Sequence, residues 1–415
     1  MTARHARRIV RFMRVQEMRQ IIQLRSVEWD ATARRLGACY DISDLRRAAR
    51  RKTPRPVFDY VDGAADAEVS SAANVEAFRQ WRFLPRALAD VAEVDTHAPL
   101  FGSELPVPFL LGPTGYTRMM HPAGESGVAR VAGRFGVPYT LSTMATTGIE
   151  ELRAAVAGLP TAPDLWFQLY ILKDREQAFT LVSRAWSSGY RVLVVTVDTV
   201  ITGNRLRDER GGLTIPPSLR LSTVASVAGK PGYWLRLLSG PALEYANFTT
   251  LPGTTIRKTG DFFDPGISWA DLSEIRARWP GSLVLKGPLG PADAVRAVDL
   301  GVDAIQLSNH GGRQLDRCVA PVDLIAPVRK AVGVSVPILV DSGIRQGADI
   351  AVALALGADA AVLGRAYLYG LMAGGEAGVD RALSILAREF RSVMQLLGVT
   401  SVAELRKQGQ DLLTR

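Results

Sequence analysis

From about residue 105 onward the apolar residues of the chain recur in one unit. An amphipathic helical stretch is followed by a glycine, a short apolar run rich in β-branched residues, and then polar or glycine-rich residues. The clearest copies begin at Gly136, Gly189, Gly301 and Gly357. Glycine suits the left-handed residue that ends a helix before a strand begins, and apolar runs without alternation belong to strands buried on both faces. Extending the unit predicts strands near Pro108–Leu111, Tyr139–Ser142, Leu165–Leu169, Val192–Val197, Leu283–Lys286, Ala304–Leu307, Pro337–Val340 and Ala360–Leu363. Eight such strands alternating with helices predict a (β/α)8 TIM barrel, an α/β fold, with a doubly wound open sheet as the alternative.

A barrel directs attention to the residues just after each strand, because active-site groups project from the C-terminal ends. Gln168 and Tyr170 close the third run, Thr196 and Asp198 the fourth, and Lys286 the fifth. Ser308, Asn309 and His310 close the sixth, Asp341, Ser342 and Gly343 the seventh, and Gly364 and Arg365 the eighth. A lone histidine is more often a core residue than a catalyst. Of the four histidines, however, only His310 combines a predicted strand end with neighbouring glycines, and it shares the mouth with Asp198, Lys286 and Arg313. In that company Asp198 orients the imidazole for general-base work, and Arg313 suits a carboxylate held in a bidentate fork; the plainer reading of these two is an ion pair at the rim. Lys286 either offsets negative charge on an electron-accepting ring or forms a Schiff base. Asp341 to Arg345 and Gly364-Arg365 combine backbone donors with two arginines where barrels commonly bind phosphate. Gly-x-Gly-x-x-Gly, Walker A and His-Glu-x-x-His patterns are absent from the sequence.

Two segments depart from the repeat. Residues 203–268, between the fourth strand and a helix beginning near Trp269, far exceed an ordinary βα loop and predict a lid or docking element. Within them Trp234, Leu235, Leu237 and Leu238 flank a lone Arg236, which suits either an interfacial segment or a helix packed on the barrel rim. The other segment is basic. Residues 1–55 hold 15 Lys or Arg against 5 Asp or Glu, a balance of +10, so a chain of net charge +9 leaves −1 for the remainder. The arm has no continuous apolar core of signal-peptide type, so the chain is expected in the cytoplasm; a solvated terminus is expected rather than a nucleic-acid or lipid ligand. No apolar run is long enough to span a bilayer. The two cysteines, Cys39 and Cys318, suggest neither a disulfide scaffold nor a zinc site.

With these residues in place, the chain resembles the FMN-dependent α-hydroxy acid dehydrogenases and oxidases, a family that includes lactate and mandelate dehydrogenases and glycolate oxidase. The resemblance covers about residues 40–400 and rests on Phe58-Asp-Tyr60, Gly112-Pro-Thr-Gly115, Leu141-Ser-Thr143, Trp166 to Tyr170, Thr196-Val-Asp198, Val284 to Gly287, Ser308 to Asp316, Asp341 to Arg345 and Gly364-Arg365. It implies that His310 is the base and Asp198 its partner. Arg205 and Arg313 become the carboxylate clamps, and Tyr60 and Tyr170 further substrate contacts. FMN would meet Pro113, Thr114, Gly115, Ser142, Gln168 and Thr196 along its ring and Asp341 at the ribityl chain, with Ser308 a further cofactor contact. Lys286 would stabilise the reduced ring, and Gly343, Arg345, Gly364 and Arg365 would hold the phosphate. Family oxidases tend to carry alanine where Gly115 stands, so glycine leans toward a dehydrogenase; Met144 leaves the size of the substrate pocket open.

The resemblance therefore implies oxidation of a small L-2-hydroxy acid, L-lactate to pyruvate first, with electrons passed to a quinone or similar acceptor. It also implies a homotetramer and peripheral contact with the inner face of the cell membrane. Rival readings are an oxidase using O2, a tailoring enzyme acting on a larger hydroxy acid, and an inactive phosphate-binding barrel serving as an RNA-binding or scaffold protein. The expected organisation is a basic N-terminal arm over residues 1–38 and a barrel over residues 39–400, with an N-terminal helical extension and residues 203–268 as a lid or membrane-type insertion. A C-terminal tail over residues 401–415 completes it.

Overall fold

The computed structural model describes residues 28–212, 229–248 and 262–415. Eight parallel strands form a closed barrel: β1 (Phe109–Leu111), β2 (Tyr139–Ser142), β3 (Leu165–Tyr170), β4 (Val192–Thr196), β5 (Ser282–Gly287), β6 (Ala304–Leu307), β7 (Ile338–Val340) and β8 (Ala360–Leu363). Each expected strand lies within one residue of its observed bounds. The ring runs in chain order, and β8 pairs with β1. The repeated glycines behave as the pattern requires: Gly136, Gly189, Gly301 and Gly357 all have positive φ, a backbone region closed to most side chains.

Alternate strand residues divide the core in two. Leu110, Trp166, Val194, Val284, Leu339 and Val362 fill the barrel, while Phe109, Leu111, Phe167 and Val195 face the surrounding helices. A hairpin of Ala98–Leu100 and Ser103–Leu105 closes the end at which the strands begin. Leu100 and Leu105 join the inner core there, and Phe101 meets Trp166 edge to face at 5.5 Å.

Ahead of the barrel, Asp30 caps the helix Ala31–Gly37, accepting from the backbone N–H of Thr32 at 2.7 Å and of Ala33 at 2.6 Å. Leu36 is buried, and Arg35 Nε donates to the Ala373 carbonyl, so this part of the expected arm packs on the body; residues 1–27 lie outside the described residues. A second capped helix, Ile42–Lys52, packs along the long helix Arg365–Leu397 that follows β8. Residues 401–415 differ from the expected tail. Val402–Gln408 is a helix with Val402 and Leu405 buried, and Leu413–Thr414 pairs antiparallel with Arg82–Phe83. The apolar side chains at 402, 405, 412 and 413 find a surface to cover, which a free tail would not. Both cysteines are free, Cys39 buried and Cys318 half-buried.

Candidate active site

The C-terminal ends of the strands surround a cavity of about 580 Å³. Eighteen of the residues singled out from the sequence line it: Tyr60, Pro113, Thr114, Gly115, Ser142, Met144, Gln168, Tyr170, Thr196, Arg205, Lys286, His310, Arg313, Asp341, Gly343, Arg345, Gly364 and Arg365. Asp198 and Ser308 do not. Asp198 stands one layer behind, bonded to His310 and Lys286. Ser308, expected against the cofactor, is fully buried; its hydroxyl donates to Asp341 Oδ1 at 2.7 Å and accepts from the His310 N–H at 3.0 Å. The strand end turns it away from the cavity and toward the loop it braces.

Three charges form the centre of the site. His310 Nδ1 lies 2.8 Å from Asp198 Oδ1, and Lys286 Nζ lies 3.2 Å from Asp198 Oδ2. A carboxylate accepts only, so Nδ1 carries the proton and Nε2 is left as the basic nitrogen. Burial pushes the His310 imidazolium below its ordinary pKa; Asp198 opposes that shift, and Lys286 adds to it. Burial also works against the Asp198 carboxylate, but His310 and Lys286 outweigh it and hold the group ionised well below the usual range. The same balance, won by Asp198 and then Asp341, raises Lys286. His310 adopts a left-handed backbone conformation, φ 58°, in a short turn held from outside by a reciprocal amide pair of Asn309 and Asn74 at 2.7 and 2.8 Å. The Tyr170 ring stacks over the imidazole at 6.4 Å, and burial raises its hydroxyl to about 12.

Arg313 is half-buried near Arg205, and desolvation together with that neighbour pushes its guanidinium down to about 9. Arg205 has a buried Nε without a partner, and the hydrogen bonds of the two arginines among the described residues go to the Gln314 side chain and to the Tyr60 and Gly63 carbonyls, not to a carboxylate. Two cations in one cavity, with Asp208 near both but paired directly to neither, suit an anionic ligand.

The structure adds residues that the sequence reading missed. The insertion contributes Asp208, Tyr245 and Phe263 to the wall, the last edge to face with Tyr170 at 5.2 Å. The segments that carry the two aromatics show no periodic pattern, and only their aromatic character was a signal. Gly115 also gains a local meaning: a Cβ there would stand 3.2 Å from both the Cβ and the carbonyl oxygen of Met144. Alanine at 115 therefore requires the Met144 loop to move.

Residues 49–412 match the family described as FMN-dependent dehydrogenase, and the chain belongs to that family. It is thus an FMN-dependent oxidoreductase built on a (β/α)8 barrel. It is 46% identical over 405 residues, 98% of this chain and 97% of the relative, to a Mycobacterium tuberculosis protein provisionally named L-lactate dehydrogenase. It is 40% identical over 375 residues, 88% of this chain and 96% of the relative, to the L-lactate dehydrogenase of Caulobacter vibrioides. Among solved structures, the monotopic membrane protein (S)-mandelate dehydrogenase superposes with a TM-score of 0.86 at 35% identity, over 91% of this chain and 99% of that one.

The cavity has the features FMN demands. Gln168 Nε2 and Thr196 Oγ1 are buried there without a hydrogen-bond partner, which is costly unless a ligand supplies one. The Gln168 carbonyl is already occupied by the Ser142 hydroxyl at 3.1 Å, which leaves the amide hydrogens for the flavin. At the other end a Cβ on Gly364 would meet only open space, and Gly364 caps the N-terminus of the helix beginning at Arg365, an arrangement suited to a phosphate.

Proposed function

We propose that this enzyme oxidises the C2 hydroxyl of a small L-2-hydroxy acid to the 2-oxo acid, with L-lactate the first substrate to test, and that electrons leave to a quinone or similar acceptor. The names of its relatives support the substrate class. The observation that carries the chemistry is the convergence on one cavity of the His310–Asp198 pair with two guanidiniums that no carboxylate pairs with directly. Arg205 and Arg313 bind the substrate carboxylate, and Tyr60 and Tyr170 bound the same compartment. Oxidation removes two protons and two electrons in all, the hydrogens coming from C2 and from its oxygen; His310 Nε2 accepts one of the protons, and the two electrons pass to the acceptor. Asp198 then faces an imidazolium and stabilises its charge. FMN, when bound, supplies the two-electron acceptor. Gln168, Thr196 and Ser142 hold its ring, Lys286 provides positive charge, and Gly343, Arg345, Gly364 and Arg365 hold its phosphate.

Peripheral membrane contact belongs to the same reading. No helix among the described residues is long and apolar enough to cross a membrane. The insertion helix Pro231–Leu238 buries Tyr233 yet exposes Leu235 and Leu238, at 72% and 77%, which suits insertion into the surface of a bilayer. Anaerobic addition of a panel of L- and D-2-hydroxy acids tests the activity. Bleaching of the yellow chromophore by L-lactate or another L isomer is expected, and a chromophore that no 2-hydroxy acid bleaches would overturn the reading. Sedimentation with anionic vesicles, with and without Leu235→Ser and Leu238→Ser, tests the surface.

A further inference from the structure

The helix Arg55–Asp62 lies outside the barrel, yet its carbonyl end forms part of the site. A helix leaves its last carbonyls without partners. Here two guanidiniums take them up. Arg313 Nη1 donates to the Tyr60 carbonyl at 2.5 Å and to that of Gly63 at 3.0 Å. Arg365 donates from Nε to Val61 at 2.9 Å and from Nη2 to the same Gly63 oxygen at 2.7 Å. Its remaining nitrogen, Nη1, reaches the carbonyl of Gly311, beside His310, at 2.8 Å. Carbonyl oxygens orient a cation without neutralising it, so both arginines keep their full charge for an anion.

What fixes this helix end is Asp62, whose side chain is 4% exposed and does not touch the cavity. Oδ1 accepts from Arg46 Nε at 2.5 Å and from the Tyr369 hydroxyl at 2.8 Å. Oδ2 accepts from Arg46 Nη2 at 2.8 Å and from Arg207 Nη1 at 2.9 Å. Those donors stand on three elements. Arg46 is in the N-terminal helix Ile42–Lys52, Tyr369 lies one turn beyond Arg365, and Arg207 is two residues from Arg205.

We propose that Asp62 is a positioning residue that sets, through the shared carbonyls of residues 60–63, both the substrate-carboxylate grip of Arg313 and the phosphate grip of Arg365. The claim rests on the roles given to those arginines above. It joins the N-terminal extension, through Arg46, to both ends of the site.

A purely structural role for Asp62 would cost stability alone, and the molecule contains the control. Asp359, just before β8 and therefore at the opposite end of the barrel, is a similar carboxylate held by Arg329 and Arg406. In the holoenzyme, oxalate affinity is read from the perturbation of the flavin spectrum, FMN release from the rise in flavin fluorescence after dilution, and stability from Tm. Asp62→Asn is expected to weaken oxalate and speed FMN release, each about tenfold. Asp359→Asn is expected to lower Tm while leaving both within about twofold. Oxalate affinity and FMN release that stay near wild type in Asp62→Asn would overturn the proposal. Should that variant not fold, Arg46→Gln must move both quantities in the same direction by a smaller factor, and unchanged values there overturn it equally. Arg313→Met and Arg365→Met separate the two levels. If they do not weaken oxalate and FMN respectively, the assignment of the arginines fails; if they do while Asp62→Asn changes neither quantity, only the positioning claim fails.

Discussion

The two ends of the barrel are made of the same eight strands and obey opposite rules. At the end where strands begin, the hairpin side chains Leu100, Phe101 and Leu105 complete the inner core around Trp166, and the Trp166 indole N–H is satisfied by Asp164 at 2.8 Å. At the end where strands finish, Gln168 and Thr196 keep polar atoms without partners, and Arg205 and Arg313 stand near each other with Asp208 close by but no direct ion pair. His310 and Ser342 hold left-handed backbone there as well. The first end is closed by apolar packing and leaves Arg406 Nε as a partnerless atom beside Asp359, whereas the other gathers its unmet polar groups around one cavity. Stability is concentrated where interactions are satisfied, and function where they are withheld.

Replacements at each end test this contrast. The largest effect is expected at the mouth, where His310→Gln should lower kcat by about 10²–10⁴-fold while the protein remains yellow with bound FMN. Near-normal turnover in that variant would remove the base from the scheme. At the closed end, Trp166→Ala should cost about 3–5 kcal/mol of stability, measured by denaturant unfolding, with KM unchanged in the folded fraction. A change in KM would show that the plug communicates with the mouth. Thr196→Val deletes a buried hydroxyl that has no partner in the protein. The FMN-free form should gain about 1 kcal/mol, while the holoenzyme should release FMN faster. A less stable FMN-free form would mean that the hydroxyl is satisfied without the cofactor.

The smallest effect is a displacement on the pH axis. Burial lowers the pKa of His310, so neutral imidazole persists to a lower pH than for a free histidine. The acid limb of kcat/KM should therefore have its midpoint below 6.5, activity rising with pH through it. Asp198→Asn removes the charge that opposes this shift and should move the limb lower still, and a midpoint above 6.5 in the wild-type profile would contradict the electrostatic account.

Much of the mouth was legible before any coordinates. A period of glycine and apolar run identifies a strand, and a barrel places whatever follows a strand at the mouth, so Gln168, Lys286, His310 and Arg365 could be assembled from sequence position alone. Ser308 shows the limit of that rule, because successive side chains turn to opposite sides of the backbone and adjacency in sequence does not establish exposure to the cavity. The insertion shows another. Tyr245 and Phe263 reach the wall through a fold with no period to read.

The C-terminal residues, expected as a tail, became packed structure because Leu405, Leu412 and Leu413 find partners that the local sequence does not reveal. The sequence by itself determined the barrel, its register of glycines and the chemical inventory of its rim, since these follow from local conformational preference and a repeating burial pattern. Only the tertiary structure decided that one carbonyl, of Gly63, would anchor both Arg313 and Arg365, and that Asp62 would fix it from behind. Backbone oxygens are identical at every position of a sequence. What distinguishes one of them is the set of distant donors that folding brings within reach.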